Sequence, residues 1–213
     1  MRFADRTEAG EQLGQAMAGR DWPAPVVLAL PRGGVPVALE VARALRAPLD
    51  LVMVRKIGVP GQPEVALGAV VDGERPDLEM NEDIARMTGL DRLDVVRLAE
   101  PELAEITRRR ALYMAGRKPL PLAGCTAIIV DDGIATGATM RVALRAVRRQ
   151  GAAHVVLAVP VAPAATLEAM QALADDVICL HAPETFGAVG AYYTDFAQVE
   201  DRDVIAMLAQ AEA

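Results

Sequence analysis

Asp131 and Asp132 stand side by side at the end of an apolar run, Ile128-Ile129-Val130. Behind them comes a loop of small residues and hydroxyls: Gly133, Ile134, Ala135, Thr136, Gly137, Ala138 and Thr139. Two carboxylates cannot hold phosphate. They accept hydrogen bonds from sugar hydroxyls and favour a nearby Mg²⁺. The loop offers backbone N–H groups and Thr hydroxyls to a phosphate. A helix opening behind it, with Thr136 or Thr139 capping its first turn, adds the positive end of its dipole. Strand, acidic pair, loop and helix together make a site for a phosphorylated sugar. A buried strand ending in Asp-Asp before a Gly turn is the structural alternative.

A second anion-binding arrangement lies near the start of the chain. Pro25 to Leu30 is a short apolar run, Pro31-Arg32-Gly33-Gly34 follows, and a helix-like segment begins at Val35. Gly33 and Gly34 let the backbone approach an anion closely. Arg32 offers a planar charged fork to phosphate oxygens, the alternative being an ordinary strand-to-helix turn with a solvent-facing Arg. The run Leu49 to Val54 ends in Arg55-Lys56, a basic pair that either could reach a diphosphate held at the first loop or is simply solvated at a strand end.

The elements that carry these residues alternate. Residues 7–19 have helical composition with Leu13 and Met17 on one face. Buried strands are expected at 25–30, 49–54, 127–130, 154–161 and 176–180, the last ending at His181. Helices are expected over 35–45, 140–150 and 163–173. Two more lie within 81–116, capped by Asn81 and Asp91, and Gly116-Arg117 ends the second. The chain closes with a helix over 201–211. Alternating strands and helices predict βαβ units, hence an α/β fold with a central, mostly parallel sheet flanked by helices. Ligands on such sheets bind at the carboxyl ends of the strands, where Arg32, Lys56, Asp131, Asp132 and His181 all fall. Residues 59–75, rich in Gly and Pro around Ala66 to Val71, read as a flexible loop plus a hairpin strand, with Glu64 a candidate by position alone. The basic run Arg108-Arg109-Arg110 reads as a solvated helix face. Four of the few aromatic residues, Phe186, Tyr192, Tyr193 and Phe196, cluster in the irregular stretch 182–200. They either form an apolar lid that stacks on a flat base or pin the tail to the core.

A chain of 213 residues with a hydrophobic share of 53% supports one generous domain. With aromatics at only 3%, its core is built from Ala, Val and Leu. No apolar run approaches the roughly 20 residues of a membrane span. The first ten residues lack a signal-peptide core. Cys125 and Cys179 sit in apolar strand-like runs and read as buried thiols, although a disulfide between them is open. These features predict a cytoplasmic protein with no membrane partner. A net charge of −7 argues against general nucleic-acid binding, so any anion site is local.

The stretch Val130-Asp131-Asp132-Gly133-Ile134-Ala135-Thr136-Gly137-Ala138-Thr139 resembles the phosphoribosyl pyrophosphate (PRPP) loop of type I phosphoribosyltransferases. Pro31-Arg32-Gly33-Gly34 is similar to their pyrophosphate loop, which also follows the first core strand. The resemblance covers about residues 25–196 of a single domain, 1–213. It implies transfer of 5-phosphoribosyl from PRPP to a nitrogenous base, release of pyrophosphate and a need for Mg²⁺. Asp131 and Asp132 would bind the ribose hydroxyls and, through substrate and water, the metal. Gly133 and Ala135 to Thr139 would wrap the 5-phosphate. Arg32, Gly33, Gly34 and Lys56 would face the pyrophosphate. The resemblance further implies a mobile loop near 59–75, a C-terminal hood over 182–200 with His181, Phe186, Tyr192 and Tyr193 near the base, and a homodimer. Ala135 stands where enzymes for hypoxanthine and guanine carry Asp, and the run Val159-Pro160-Val161-Ala162 lacks their Lys. The Ala-Thr-Gly form is similar to adenine and orotate enzymes without matching their base-reading residues, so the acceptor is open. A regulatory protein that binds PRPP or a nucleotide on the same fold is the second reading. A hydrolase using His154 or His181 lacks a nucleophile in a recognisable elbow.

Overall fold

The computed structural model describes residues 2–72, 76–115 and 118–211, with the Glu64 side chain excepted. The candidate Glu64 side chain, the Gly73–Arg75 end of the expected loop and the Gly116–Arg117 break therefore lie outside the described residues.

Five parallel strands form the central sheet: β1 (Pro25–Ala29), β2 (Leu49–Leu51), β6 (Thr126–Val130), β7 (His154–Val161) and β8 (Asp176–His181). Their order is β2-β1-β6-β7-β8. Side chains alternate across the sheet. Val27 and Ala29 of β1 join Ile128 and Val130 of β6 in one core. Val26 and Leu28 join Ala127 and Ile129 in the other. Both faces are thus buried, which explains why these strands read as continuous apolar runs. The first core is covered by α1 (Arg6–Ala18), α2 (Gly34–Leu45), α4 (Arg92–Tyr113) and α7 (Asp201–Gln210). The second is covered by α5 (Ala138–Arg149) and α6 (Ala164–Gln171). The α/β class with a parallel sheet is as the alternation predicts.

The stretch between β2 and β6 differs from expectation. In place of a flexible loop with one strand, a second sheet of three antiparallel strands forms: β3 (Val54–Val59), β4 (Gln62–Val71) and β5 (Asp77–Met80). A tight turn at Gly61, with φ +79°, joins the first two. The Gly and Pro content marked that turn correctly but obscured the strands on either side of it. The short helix α3 (Glu82–Thr88), capped by Asn81, leads into α4, whose N-terminus carries a capping box from Asp91 and Asp94.

The basic run on α4 also departs from a solvated face. Successive helical positions point about 100° apart, so the three arginines face three environments. Arg108 is exposed and paired with Glu105. Arg110 is buried and bridges Asp50 on β2 (2.5 Å) and Asp72 beyond β4 (2.6 Å). Asp72 also accepts from the Met53 N–H, and Asp50 from the Leu120 N–H. This cluster locks α4 and the antiparallel sheet onto the edge of the central sheet. Burial pushes the Asp72 carboxyl up to about 6, against the pull of Arg110. Cys125 and Cys179 are free, half-buried thiols.

Candidate functional site

The two glycine-bearing loops meet at the carboxyl ends of β1 and β6. A Cβ on Gly34 would come within 2.7 Å of the Val130 carbonyl oxygen and 3.0 Å of the Asp131 Cα. On Gly33 it would reach the Asp132 carboxylate, 2.8 Å from Cγ. The glycines are therefore required first for the approach of one loop to the other. Gly33 and Gly34 have ordinary helical backbone here, so it is the missing side chain that matters. The Pro31–Arg32 peptide bond is cis.

Asp131 and Asp132 are both largely buried, and burial is the main force raising their carboxyl groups above the usual range. For Asp131 the neighbouring Asp132 charge adds to it. For Asp132 the effect is opposed by Arg6. Arg6, in the first turn of α1, donates from Nε to Asp132 Oδ2 at 2.8 Å, the two side chains being only 11% and 13% exposed. Its Nη1 donates to the Ala197 carbonyl at 2.8 Å, and its guanidinium lies 3.8 Å from the Phe196 ring centre. Nothing in the sequence pattern near Arg6 marks it. Its partner lies just past β6 in a distant part of the chain, and the packing of α1 against the sheet and the tail brings them together.

The Thr-rich loop is held from outside. Thr166 of α6 donates to the Ala135 carbonyl at 2.9 Å, and the Ile134 N–H donates to the Val161 carbonyl. Gly137, at φ +74°, occupies the N-cap of α5, a conformation that favours glycine. Thr136 and Thr139 do not cap this helix, because the left-handed turn at Gly137 takes the N-cap position and no side chain bonds the first-turn N–H groups. Those donors, with the exposed Thr136, Ala138 and Thr139, form an open anion cradle.

A cleft of about 240 Å³ runs beside the acidic pair, lined by Pro31, Met53, Val54, Arg55, Arg109, Asp131 and Thr139. Arg55 and Arg109 bring positive charge to it, tethered to Glu102 and Glu105 of α4. Arg109 is thus a cleft residue that the reading of a solvated run missed. Lys56 lies inside β3, not at the end of a central strand, because β2 stops at Leu51 and a new strand begins at Val54. It lines an adjoining cavity of about 420 Å³ between the antiparallel sheet and α5, which shares Val54 and Thr139 with the cleft. Arg32 pairs with Glu200 (3.9 Å) and Asp201 (3.6 Å) at the start of α7. Asp201 also accepts from the Tyr113 hydroxyl at 2.6 Å, and that phenol is pushed up to about 12 by burial and by this bond.

The C-terminal aromatics divide. Tyr193 is 1% exposed, packs against Phe3 and Phe196, and donates its hydroxyl to the Asp132 carbonyl. It anchors the tail and offers no face to a base, which corrects its placement among the base-stacking residues. His181, Phe186 and Tyr192 form a separate cluster. Phe186 stacks on Tyr192 at 5.3 Å between ring centres, and His181 meets Tyr192 edge-on at 5.5 Å. His154 lies at the opposite, amino end of β7, bonded to Asp176 at 2.8 Å. It takes no part in this site.

Among the described residues no group of three or more His, Cys, Asp and Glu side chains converges on a cation position. Asp131 and Asp132 are adjacent carboxylates, and one is already engaged by Arg6. That donor set fits a Mg²⁺ carried by substrate oxygens and water, with little direct coordination from the chain.

Comparison with known proteins agrees with this geometry. The phosphoribosyl transferase domain family matches residues 9–197. Two proteins from strains of Mycobacterium tuberculosis, provisionally named phosphoribosyl transferases, are 48% identical over 209 residues, which is 98% of this chain and 47% of theirs. The chain thus spans about half the length of these curated relatives. The crystal structure of TT1426 from Thermus thermophilus is 45% identical, covers 99% of both chains and superimposes with a TM-score of 0.86. No described helix is long and apolar enough to cross a membrane. On the match across residues 9–197, the chain belongs to the phosphoribosyl transferase domain family.

Proposed function

We propose that this chain transfers 5-phosphoribosyl from PRPP to a nitrogenous base and releases pyrophosphate in a Mg²⁺-dependent reaction. The observation that carries the reading is the apposition of Gly33 and Gly34 to Asp131 and Asp132 beside the open N-terminus of α5. Three recognition elements for one substrate thereby meet in one place. The 5-phosphate would rest on the N–H groups and hydroxyls of residues 135–139. The ribose hydroxyls would donate to the acidic pair. The diphosphate would lie along the Pro31–Gly34 loop toward Arg55 and Arg109 in the cleft. Arg32, paired with Glu200 and Asp201, would frame that end from behind.

Sheet order supports a direction for the chemistry. The basic cleft lies at the β1–β2 side of Asp131, and β7 and β8 lie on the other side of β6. An attacking base must enter opposite the leaving diphosphate. The acceptor would then sit above the ends of β7 and β8, where Val161, Ala162, His181 and Tyr192 gather within reach of the hood segment 182–200. As the C1–O bond breaks, positive charge grows on the ribose and negative charge on the diphosphate. The fixed carboxylates and the arginines oppose these charges without reorganising. Bound Mg²⁺ would supply further neutralisation of the leaving group.

The test is pyrophosphate release from Mg-PRPP by the purified chain against a panel of purine and pyrimidine bases. Base-dependent release establishes the transferase, and the responding base names the acceptor. PRPP binding with no release from any base would assign the site to a PRPP-binding regulator instead. Absence of PRPP binding would overturn both.

A further inference from the structure

We propose that Arg6 is a positioning residue: it aims Asp132 at the ribose and ties that carboxylate to the C-terminal segment 193–197. The proposal rests on the phosphoribosyltransferase reading and adds a residue that neither glycine-bearing loop contains. Three separate parts of the Arg6 guanidinium are in use. Nε bonds Asp132, Nη1 bonds the Ala197 carbonyl, and the flat face covers Phe196. Only a planar, multi-donor cation satisfies all three at once.

Asp132 is restrained on every side that the described contacts reach. Its N–H donates to Asp131 Oδ1 at 2.9 Å, and its carbonyl accepts from Tyr193 at 2.5 Å. Its Oδ2 lies between Arg6 and the bare Cα of Gly33. With Oδ2 committed in this way, a sugar hydroxyl meets Oδ1. The same guanidinium reads the tail. Phe196 stacks beneath it, the Tyr193 ring lies 5.0 Å from Phe196, and the Thr194 and Asp195 N–H groups bond the Phe3 and Ala4 carbonyls. Residues 3–6 and 193–197 are thus tied together around one carboxylate. A ribose that engages Asp132 acts on the tail through Arg6, and a displaced tail loosens the ribose site.

The experiment uses the full chain with R6M, which keeps apolar bulk over Phe196 and removes the charge and both donors. R6K keeps the charge and loses the planar fork. Dissociation constants are measured by calorimetry for PRPP, ribose 5-phosphate and inorganic pyrophosphate. Backbone hydrogen exchange of residues 193–197 is followed without ligand. In R6M, PRPP and ribose 5-phosphate weaken by about tenfold or more, as loss of a buried charge-assisted bond implies, while pyrophosphate changes less than about twofold. R6K recovers part of the ribose affinity, and exchange in 193–197 speeds up in both variants. Equal weakening of ribose 5-phosphate and pyrophosphate would reduce Arg6 to a general structural role and overturn the proposal. So would unchanged affinity, or unchanged exchange. A wild-type chain that binds none of the three ligands overturns the phosphoribosyltransferase reading itself. That failure is distinct from a loss confined to the Arg6 variants.

Discussion

Replacing Gly34 with alanine tests whether the apposition of the two loops holds the site together. The added Cβ would sit 2.7 Å from the Val130 carbonyl oxygen and 3.0 Å from the Asp131 Cα, both backbone atoms. Val130 is fully buried in the middle of the sheet and paired with its neighbours on both sides. It cannot retreat alone, so the start of α2 must move away by several tenths of an ångström. Overpacking of this kind costs about 1–3 kcal/mol. At about 2–4 °C per kcal/mol for a chain of this size, a mid-range cost of about 2 kcal/mol lowers Tm by about 4–8 °C. Gly33→Ala is the internal comparison. The three atoms nearest its Cβ all belong to the Asp132 side chain, which can swing aside if Arg6 lets go. Gly33→Ala should therefore cost less stability than Gly34→Ala yet lose PRPP affinity at least as severely. Scanning calorimetry and ligand calorimetry on the two variants separate these effects. A Gly34→Ala chain with wild-type Tm and wild-type PRPP binding would refute the reasoning, since the loops would then have room that the geometry denies them.

Three other predictions follow from the same contacts. Tyr193→Phe keeps the ring packed on Phe3 but leaves the Asp132 carbonyl without its donor, so the chain should lose about 1–2 kcal/mol in denaturant unfolding. Arg109→Gln should weaken inorganic pyrophosphate about tenfold in calorimetry with little change for ribose 5-phosphate, and the opposite pattern would remove Arg109 from the cleft's anion end. Asp72 titrates near 6 when folded and near 3.8 when unfolded, so the native state holds its proton more tightly. Its contribution to stability is complete below the lower value and is lost as pH rises through about 6, by about 3 kcal/mol in all. In Asp72→Asn this loss disappears, and unfolding followed from pH 4 to pH 7 should show the difference between variant and wild type changing by about that amount.

The sheet and its helices were legible because both of its faces are buried. Runs such as Val26 to Leu30 and Ala127 to Val130 carry no polar positions, and the turns between strands and helices hold the glycines. The acidic pair and the Thr-rich loop were legible because their chemistry is contiguous in the chain. What the sequence hid is non-local or depends on one residue's rotation. Lys56 reads as a strand end only until the break after Leu51 is known. Arg108, Arg109 and Arg110 look equivalent in a row, and the helix sends one to solvent, one to the cleft and one into the core. Arg6 carries no local signal, since its three partners lie at the end of β6 and in the tail. Tyr192 and Tyr193 are neighbours that face opposite ways, one toward His181 and the other under Arg6.

The path of the chain between β2 and β6 has a consequence for how this architecture diversifies. β1 and β6 are hydrogen-bonded neighbours, yet the antiparallel sheet, α3 and α4 are all threaded between β2 and β6. That excursion leaves from the edge strand β2 and rejoins the sheet at its middle strand β6, and Arg110 bolts it to Asp50 at the edge. It carries Arg55 and Arg109 to the cleft, whereas Pro31, Asp131 and Thr139 on the other walls belong to the loops of the central sheet and to α5. Under the proposed function the diphosphate end would be built from both parts, the Pro31–Gly34 loop of the core and the two arginines of the excursion. Substitutions at Arg55 or Arg109 would then change the charge around a bound diphosphate while the Asp131–Asp132 pair keeps its geometry, provided the Asp50–Arg110–Asp72 bolt is retained.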